Sequence, residues 1–158
     1  MLKIAEKNIL VHAPVPTAWD AIYDVDCWKN WNPAIGRVEL LETPKLGAIG
    51  RIHNAKANSF QFKITRMILG SYFEWERDYE AGTFLKQSYS ITKNAEGAIF
   101  TIDLICEGNF EKIVVGLTRK RFVRDMEKQL TGFQGFCESN WAEEQKFIAH
   151  DRLRVESG

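Results

Sequence analysis

Hydrophobic and polar positions change period along this chain, and the changes mark out its elements. Residues 3–11 alternate loosely, Ile4, Glu6, Asn8 and Leu10 against Ala5, Lys7, Ile9 and Val11, which predicts a first strand. Ala13-Pro14-Val15-Pro16 ends it, and Pro16 and Thr17 open a short helix through Tyr23, since proline suits a first helical turn. Trp19, Ile22 and Tyr23 share one face of that helix. A second short helix is expected over Val25 to Trp31. It stops before Pro33, because the residue ahead of a proline disfavours the helical region.

From Ile35 the period becomes two. Strands are expected at 35–43, 47–54, 58–69, 71–78, 82–93 and 97–107. They are broken at Pro44 and Gly47, Lys56 to Asn58, Gly70-Ser71, Glu80 to Gly82, and Asn94 to Gly97. Such short connections imply antiparallel hairpins. In the last strand Ala98, Phe100, Ile102, Leu104 and Cys106 share one face, opposite Thr101, Asp103 and Glu107. A sheet covered on one side needs that split.

After Gly108 the period is helical. With about 100° per residue, Phe122, Val123, Met126, Leu130, Phe133, Cys137 and Trp141 fall within one arc. Lys120, Arg124, Glu127, Lys128, Thr131 and Glu138 lie opposite. Phe110, Ile113, Val114 and Leu117 belong to a different register, nearly opposite the later stripe. One straight helix cannot bury both faces against one sheet. The reading is therefore a break near Gly116, with the main helix starting near Thr118. Residues 142–150 extend the helix or fray, and 151–158 are expected as a frayed tail. The simplest packing is α+β: a curved seven-stranded antiparallel sheet wrapped around a long C-terminal helix, with two short helices after strand 1.

Composition adds little to that outline. The 158 residues suggest a single domain over 1–158 with a sizeable core. Lys+Arg and Asp+Glu are 21 each, so no global field invites nucleic acid. No apolar run is long enough for integral membrane insertion. Cys27, Cys106 and Cys137 are odd in number and widely spaced, as expected of buried thiols in a cytoplasmic protein. Five Trp and ten Phe are the compositional outlier, pointing to a dense core or an apolar cavity.

The ends of the chain carry a family resemblance. Val11-His12-Ala13-Pro14-Val15-Pro16-Thr17-Ala18-Trp19-Asp20-Ala21-Ile22, then Asp24-Val25, Trp28 and Trp31-Asn32-Pro33-Ala34-Ile35, resemble the N-terminal signature of the START/SRPBCC superfamily, in its polyketide cyclase/dehydrase-like branch. Met126 to Phe133 and on to Glu138 is similar to that family's closing helix, although Phe133-Gln134 departs from the Leu-Lys pair common there. Gly50 and Trp75 also fall where the family often has a strand Gly and a strand Trp. The resemblance spans roughly residues 3–140 and implies a helix-grip fold, as in the major birch-pollen allergen. It further implies a cavity between sheet and helix for a hydrophobic small molecule. The family includes aromatase/cyclases and lipid carriers, so the shared fold does not choose among activities.

The residues themselves leave chemistry open. His12, His53 and His150 are scattered, and no metal-ligand spacing, phosphate loop or nucleophile elbow is present, so no metal and no cofactor are expected. His53 points either into a cavity, as acid or base, or to the surface. Gln87 alternates with Leu85, Tyr89 and Ile91, so its amide bonds either the backbone or a ligand, and Tyr89 either orients a ligand or packs. Arg66 follows Phe60, Phe62 and Ile64 and is either a buried cation or a surface one. Trp28 and Trp31 either seat the second helix or, through Trp31 and Ile35, rim a cavity. Arg119, Lys120, Arg121, Arg124 and Lys128 form a basic helix face that is either solvated or drawn to an anionic lipid surface.

Three functions follow. The first is binding or transport of a hydrophobic molecule (a lipid, polyketide or aromatic), in a chain that is a monomer or weak dimer. Its expected ligand-binding set is Trp31, Ile35, Trp75, Gln87, Tyr89, Phe100, Phe122, Met126, Leu130 and Phe133. The second is a cyclase/dehydratase enzyme, for which His53, Tyr89, Gln87 and Arg66 are the candidates. The third is a partner-binding or stress-accessory module docking through the basic helix face.

Overall fold

In a computed structural model of the chain, residues 1–79 and 82–157 are described. Strand β1 (Leu2–Val11) leads to helix α1 (Val15–Tyr23), a 3-10 turn (Val25–Cys27) and the one-turn helix α2 (Trp28–Trp31). Strands β2 (Ile35–Glu39), β3 (Ile49–Asn54), β4 (Ser59–Ile68), β5 (Tyr72–Asp78), β6 (Thr83–Asn94) and β7 (Gly97–Gly108) follow, and α3 (Glu111–Ser157) closes the chain. The strands form one antiparallel sheet in the order β1-β7-β6-β5-β4-β3-β2. Sequential strands pair as the short turns require, and β1 alone is moved to the far side of β7. The expected turn at residues 80–82 lies partly outside the described residues, as does Gly158.

This is the sheet-around-helix packing that the alternation and the stripe imply, and the helix-grip fold that the family resemblance implies. On β7, Ala98, Phe100, Ile102, Leu104 and Cys106 are all buried. They face the α3 stripe, of which Met126, Leu130, Phe133 and Cys137 are also buried. Phe100 and Phe133 stack with ring centroids 3.7 Å apart. The second expected helix is divided into the 3-10 turn and α2. Its tryptophans plug the centre of the molecule, each tied back to α1. Trp28 Nε1 donates to the Ile22 carbonyl at 2.8 Å, and Trp31 Nε1 donates to the Ala21 carbonyl at 3.1 Å.

The break expected at Gly116 does not occur: α3 is one helix from Glu111. Only one register is buried. Phe110, Ile113 and Leu117 stay 61%, 59% and 82% exposed, so the helix runs through without serving two faces. Exposing them forgoes burial but keeps the helical hydrogen bonds, and a lone glycine in a helix costs only about 1 kcal/mol. Beyond Trp141 the helix continues to Ser157, past the sheet, where Phe147, Leu153 and Val155 are exposed.

Helix α3 is fastened along β1. Arg119 donates to the carbonyls of Ile4 and Lys3, both at 3.2 Å, and Gln134 Nε2 donates to the Leu10 carbonyl at 2.8 Å. The Glu138 carboxylate accepts the His12 amide at 3.1 Å. These bonds draw the helix toward the β1 side of the sheet. The side facing β3, β4 and β5 is left less tightly covered.

Candidate functional site

That side holds a cavity of about 260 Å³, between the β3–β5 strands and the first half of α3. Its wall is apolar: Ile35, Ile52, Phe60, Trp75, Leu85, Leu104, Phe122 and Met126. Strand parity explains the contributions. Leu85 and Gln87 are inward positions of β6, Trp75 and Arg77 of β5, and Leu104 of β7.

The floor is polar and fully internal. Gln87 Nε2 donates to Tyr89 Oη and to Gln129 Oε1, both at 3.1 Å, and Tyr89 Oη donates to Gln129 Oε1 at 3.4 Å. Gln87 and Gln129 line the cavity, whereas Tyr89 lies behind them. Burial pushes the Tyr89 phenol above its ordinary range, against hydrogen bonding toward Trp75 and Gln87 that favours the ionised form. The phenol is therefore protonated at neutral pH. Trp75, 6% exposed, lines the cavity with a buried indole N–H that makes no well-formed hydrogen bond to any described residue. A buried donor of that kind is costly to leave unpaired.

The mouth is charged. Arg77 is half-buried, its guanidinium 3.7 Å from the centroid of the Phe60 ring, and its Nε donates to the Asp78 carbonyl at 3.2 Å. Arg121 Nη2 donates to Tyr79 Oη at 2.8 Å. Burial pulls Arg77 below the ordinary arginine range; the Tyr79 phenol opposes this and the Arg121 charge adds to it. Asp125 completes the rim.

Of the expected ligand-binding residues, Ile35, Trp75, Gln87, Phe122 and Met126 line the cavity. Trp31, Phe100, Leu130 and Phe133 do not. They are buried in the aromatic core, where the Trp31 ring meets Tyr89, Phe100 and Phe133 edge-on. The α2 tryptophans thus fill one half of the space between sheet and helix, and the cavity occupies the other.

Two of the four catalytic candidates lie elsewhere. His53 lies on β3, paired with Arg37 of β2 and Ser59 of β4, its Nε2 3.3 Å from Glu39 and 3.2 Å from Arg37, and it does not line the cavity. Arg66 is exposed, over the Tyr72 ring. A β-bulge between Ile64 and Arg66 inverts the parity of β4, so the inward series Phe62, Ile64 does not continue to Arg66. Arg77, Tyr79 and Gln129 are cavity residues that the sequence did not single out, and Arg121 was singled out only as part of the basic helix face. Arg77 had a signal in the alternation Phe73, Trp75, Arg77. Gln129 had one in its place beside Met126 and Leu130.

Sheet, gripped helix and internal cavity define a ligand-binding class of protein. A family model described as polyketide cyclase/dehydrase and lipid transport matches residues 3–136, and the chain belongs to that family. No curated protein matches the sequence. Among solved structures, protein CV1439 from Chromobacterium violaceum is similar at a TM-score of 0.66 and 12% identity, over 85% of this chain and 96% of that one. The di-domain ARO/CYC BexL, from the BE-7585A biosynthetic pathway, has a TM-score of 0.72 and 12% identity over 85% of this chain. StfQ, the di-domain ARO/CYC of the steffimycin pathway, has a TM-score of 0.69 and 16% identity over 92%. The chain spans only 46% of BexL and 52% of StfQ. At these identities the likeness is one of fold. No helix among the described residues is long and apolar enough to cross a membrane.

Proposed function

We propose that this protein binds a hydrophobic small molecule in the cavity between β3–β5 and α3, with a carbonyl or hydroxyl of that molecule meeting the floor. The observation that carries the reading is the pairing of an apolar wall with a buried Trp75 N–H, which makes no well-formed hydrogen bond to a described residue, beside the Gln87 and Gln129 amides. Ligand sites combine apolar walls and a few convergent polar groups in this way. A ligand burying about 250 Å² of apolar surface would gain roughly 6 kcal/mol before association costs. Amides hold a ligand by hydrogen bonds but do not transfer protons, and the Tyr89 phenol lies behind them rather than on the cavity wall, which supports binding over a cyclase/dehydratase reaction. Cys27, Cys106 and Cys137 are all free thiols, which supports a reducing, cytoplasmic setting.

The test is a fluorescence titration with an apolar naphthalene dye, in the wild type and in Leu104→Trp, which fills the cavity from β7. Saturable uptake by the wild type and its loss in a folded Leu104→Trp variant are expected. Equal uptake by both proteins would defeat the assignment of the cavity.

A further inference from the structure

The mouth carries charge that the binding of a neutral molecule does not use. Arg77 and Arg121 approach each other there, and neither forms an ion pair with a described residue. Arg77 is an inward residue of β5, held flat against Phe60, and Arg121 is held by Tyr79. Their planar groups are thereby oriented rather than swinging free in solvent.

Outside the mouth, and sharing Asn32, Asn54, Arg121 and Asp125 with it, a groove of about 580 Å³ runs between α3 and the β3–β4 turn. Lys56, Arg124 and Lys128 line it, and these too form no ion pair with a described residue. Among the described residues, cavity mouth and groove together present five cations, Arg77, Arg121, Lys56, Arg124 and Lys128, against the one carboxylate of Asp125. The whole chain is balanced at 21 charges of each sign, so this excess is local. Like charges gathered at the rim of a low-dielectric cavity repel one another, and an anion between them reverses the sign of that interaction.

We propose that the ligand is an anionic amphiphile, its apolar body in the cavity and its carboxylate or phosphate group at the mouth between Arg77 and Arg121. This rests on the cavity being the ligand site. Guanidinium groups suit such a head because each offers two parallel donors to a pair of anionic oxygens. A carboxylate would engage the inner pair. A phosphate, with more oxygens and charge, would also reach toward Arg124 and Lys128 in the groove.

The experiment titrates decanol, decanoate and decyl phosphate, each below its micellar concentration, against intrinsic tryptophan fluorescence at low and at physiological salt. At least one anion is expected to bind about tenfold or more tighter than decanol, with the ratio shrinking as salt rises. Loss of preference for decanoate and decyl phosphate alike in Arg121→Gln, and in Arg77→Gln if it folds, would support the assignment. Arg66→Gln, outside the cavity, should keep the wild-type ratio. If phosphate is the preferred head, Lys128→Gln should weaken decyl phosphate more than decanoate. Decanol binding as tightly as both anions would overturn the inference while leaving the cavity reading intact. Binding of none of the three would remove both. A preference that survives Arg121→Gln unchanged would overturn the placement of the head group.

Discussion

Gly132 of α3 lies directly on the backbone of α2: a Cβ at Gly132 would stand 2.1 Å from the carbonyl oxygen of Trp31. No real Cβ tolerates that distance, and its neighbour is backbone, which cannot swing aside. The contact sets how deeply Trp31 sits between the sheet and Phe133. Gly132→Ala must part the two helices or shift Trp31, so it should destabilise the fold by about 2 kcal/mol or more despite the better helix propensity of alanine. Urea denaturation of the variant checks this. A stabilised Gly132→Ala would show the approach is looser than described.

Gly116 makes the opposite case. A Cβ there meets nothing within 4 Å, and the residue lies in the interior of a continuous helix. Gly116→Ala should raise stability by roughly 0.5–1 kcal/mol, read as a higher denaturation midpoint. A loss of stability would argue for the helix break that the two hydrophobic registers suggested.

The Gln87–Gln129 bond ties β6 to α3 through the cavity floor. Gln129→Leu leaves the Gln87 amide and Tyr89 hydroxyl without that acceptor, at a cost of about 1–3 kcal/mol. Adding Gln87→Leu should then cost less than it does in the wild type, because the stranded partner is removed as well. A double-mutant cycle measures the coupling. Strict additivity would mean the two amides do not act together.

Phe133 and Met126 lie one below the other on α3, yet only Met126 borders the cavity. Phe133→Ala should cost about 3–5 kcal/mol of stability, since it removes the ring stacked on Phe100. In protein that remains folded, dye affinity should change much less than in Met126→Trp, which projects into the cavity. Parallel denaturation and titration separate the two roles.

Cys137 is buried, and burial pushes its thiol up from an ordinary 9.0 to about 12. Below pH 9.0 the thiol is protonated in folded and unfolded chains alike, so its contribution is fully present. Above that, the unfolded chain loses the proton first, and stability falls as the pH rises toward about 12. Midpoints measured from pH 8 to pH 10.5 should therefore decline less steeply in Cys137→Ala than in the wild type. Equal slopes would assign the decline to other groups.

Much of the fold was legible in local pattern. Alternation places Ala98, Phe100, Ile102, Leu104 and Cys106 on one face of β7, and helical spacing puts Met126, Leu130, Phe133 and Cys137 opposite them. Both are consequences of backbone geometry, so they do not depend on distant contacts. The same parity rule made Gln87 readable as an inward residue, whereas Trp75 entered through the family resemblance. Parity left Arg66 open between a buried and a surface position, because the bulge after Ile64 adds one residue to β4, an event set by pairing with β5 and invisible in β4 alone. It failed at Gly116 because periodicity identifies an apolar face without saying whether anything covers it.

The sequence by itself determined that seven strands and one amphipathic helix must cover each other. Only the tertiary structure decided where that cover is incomplete. Helix α3 is hydrogen-bonded along β1, and the volumes of Trp28 and Trp31 fill the space on one half. The cavity is left at the other, between β3–β5 and α3, with Arg77 and Arg121 at its mouth. Whether an apolar residue is core or cavity wall depends on how side chains from four or five elements share one volume. No single stretch of sequence contains that sum.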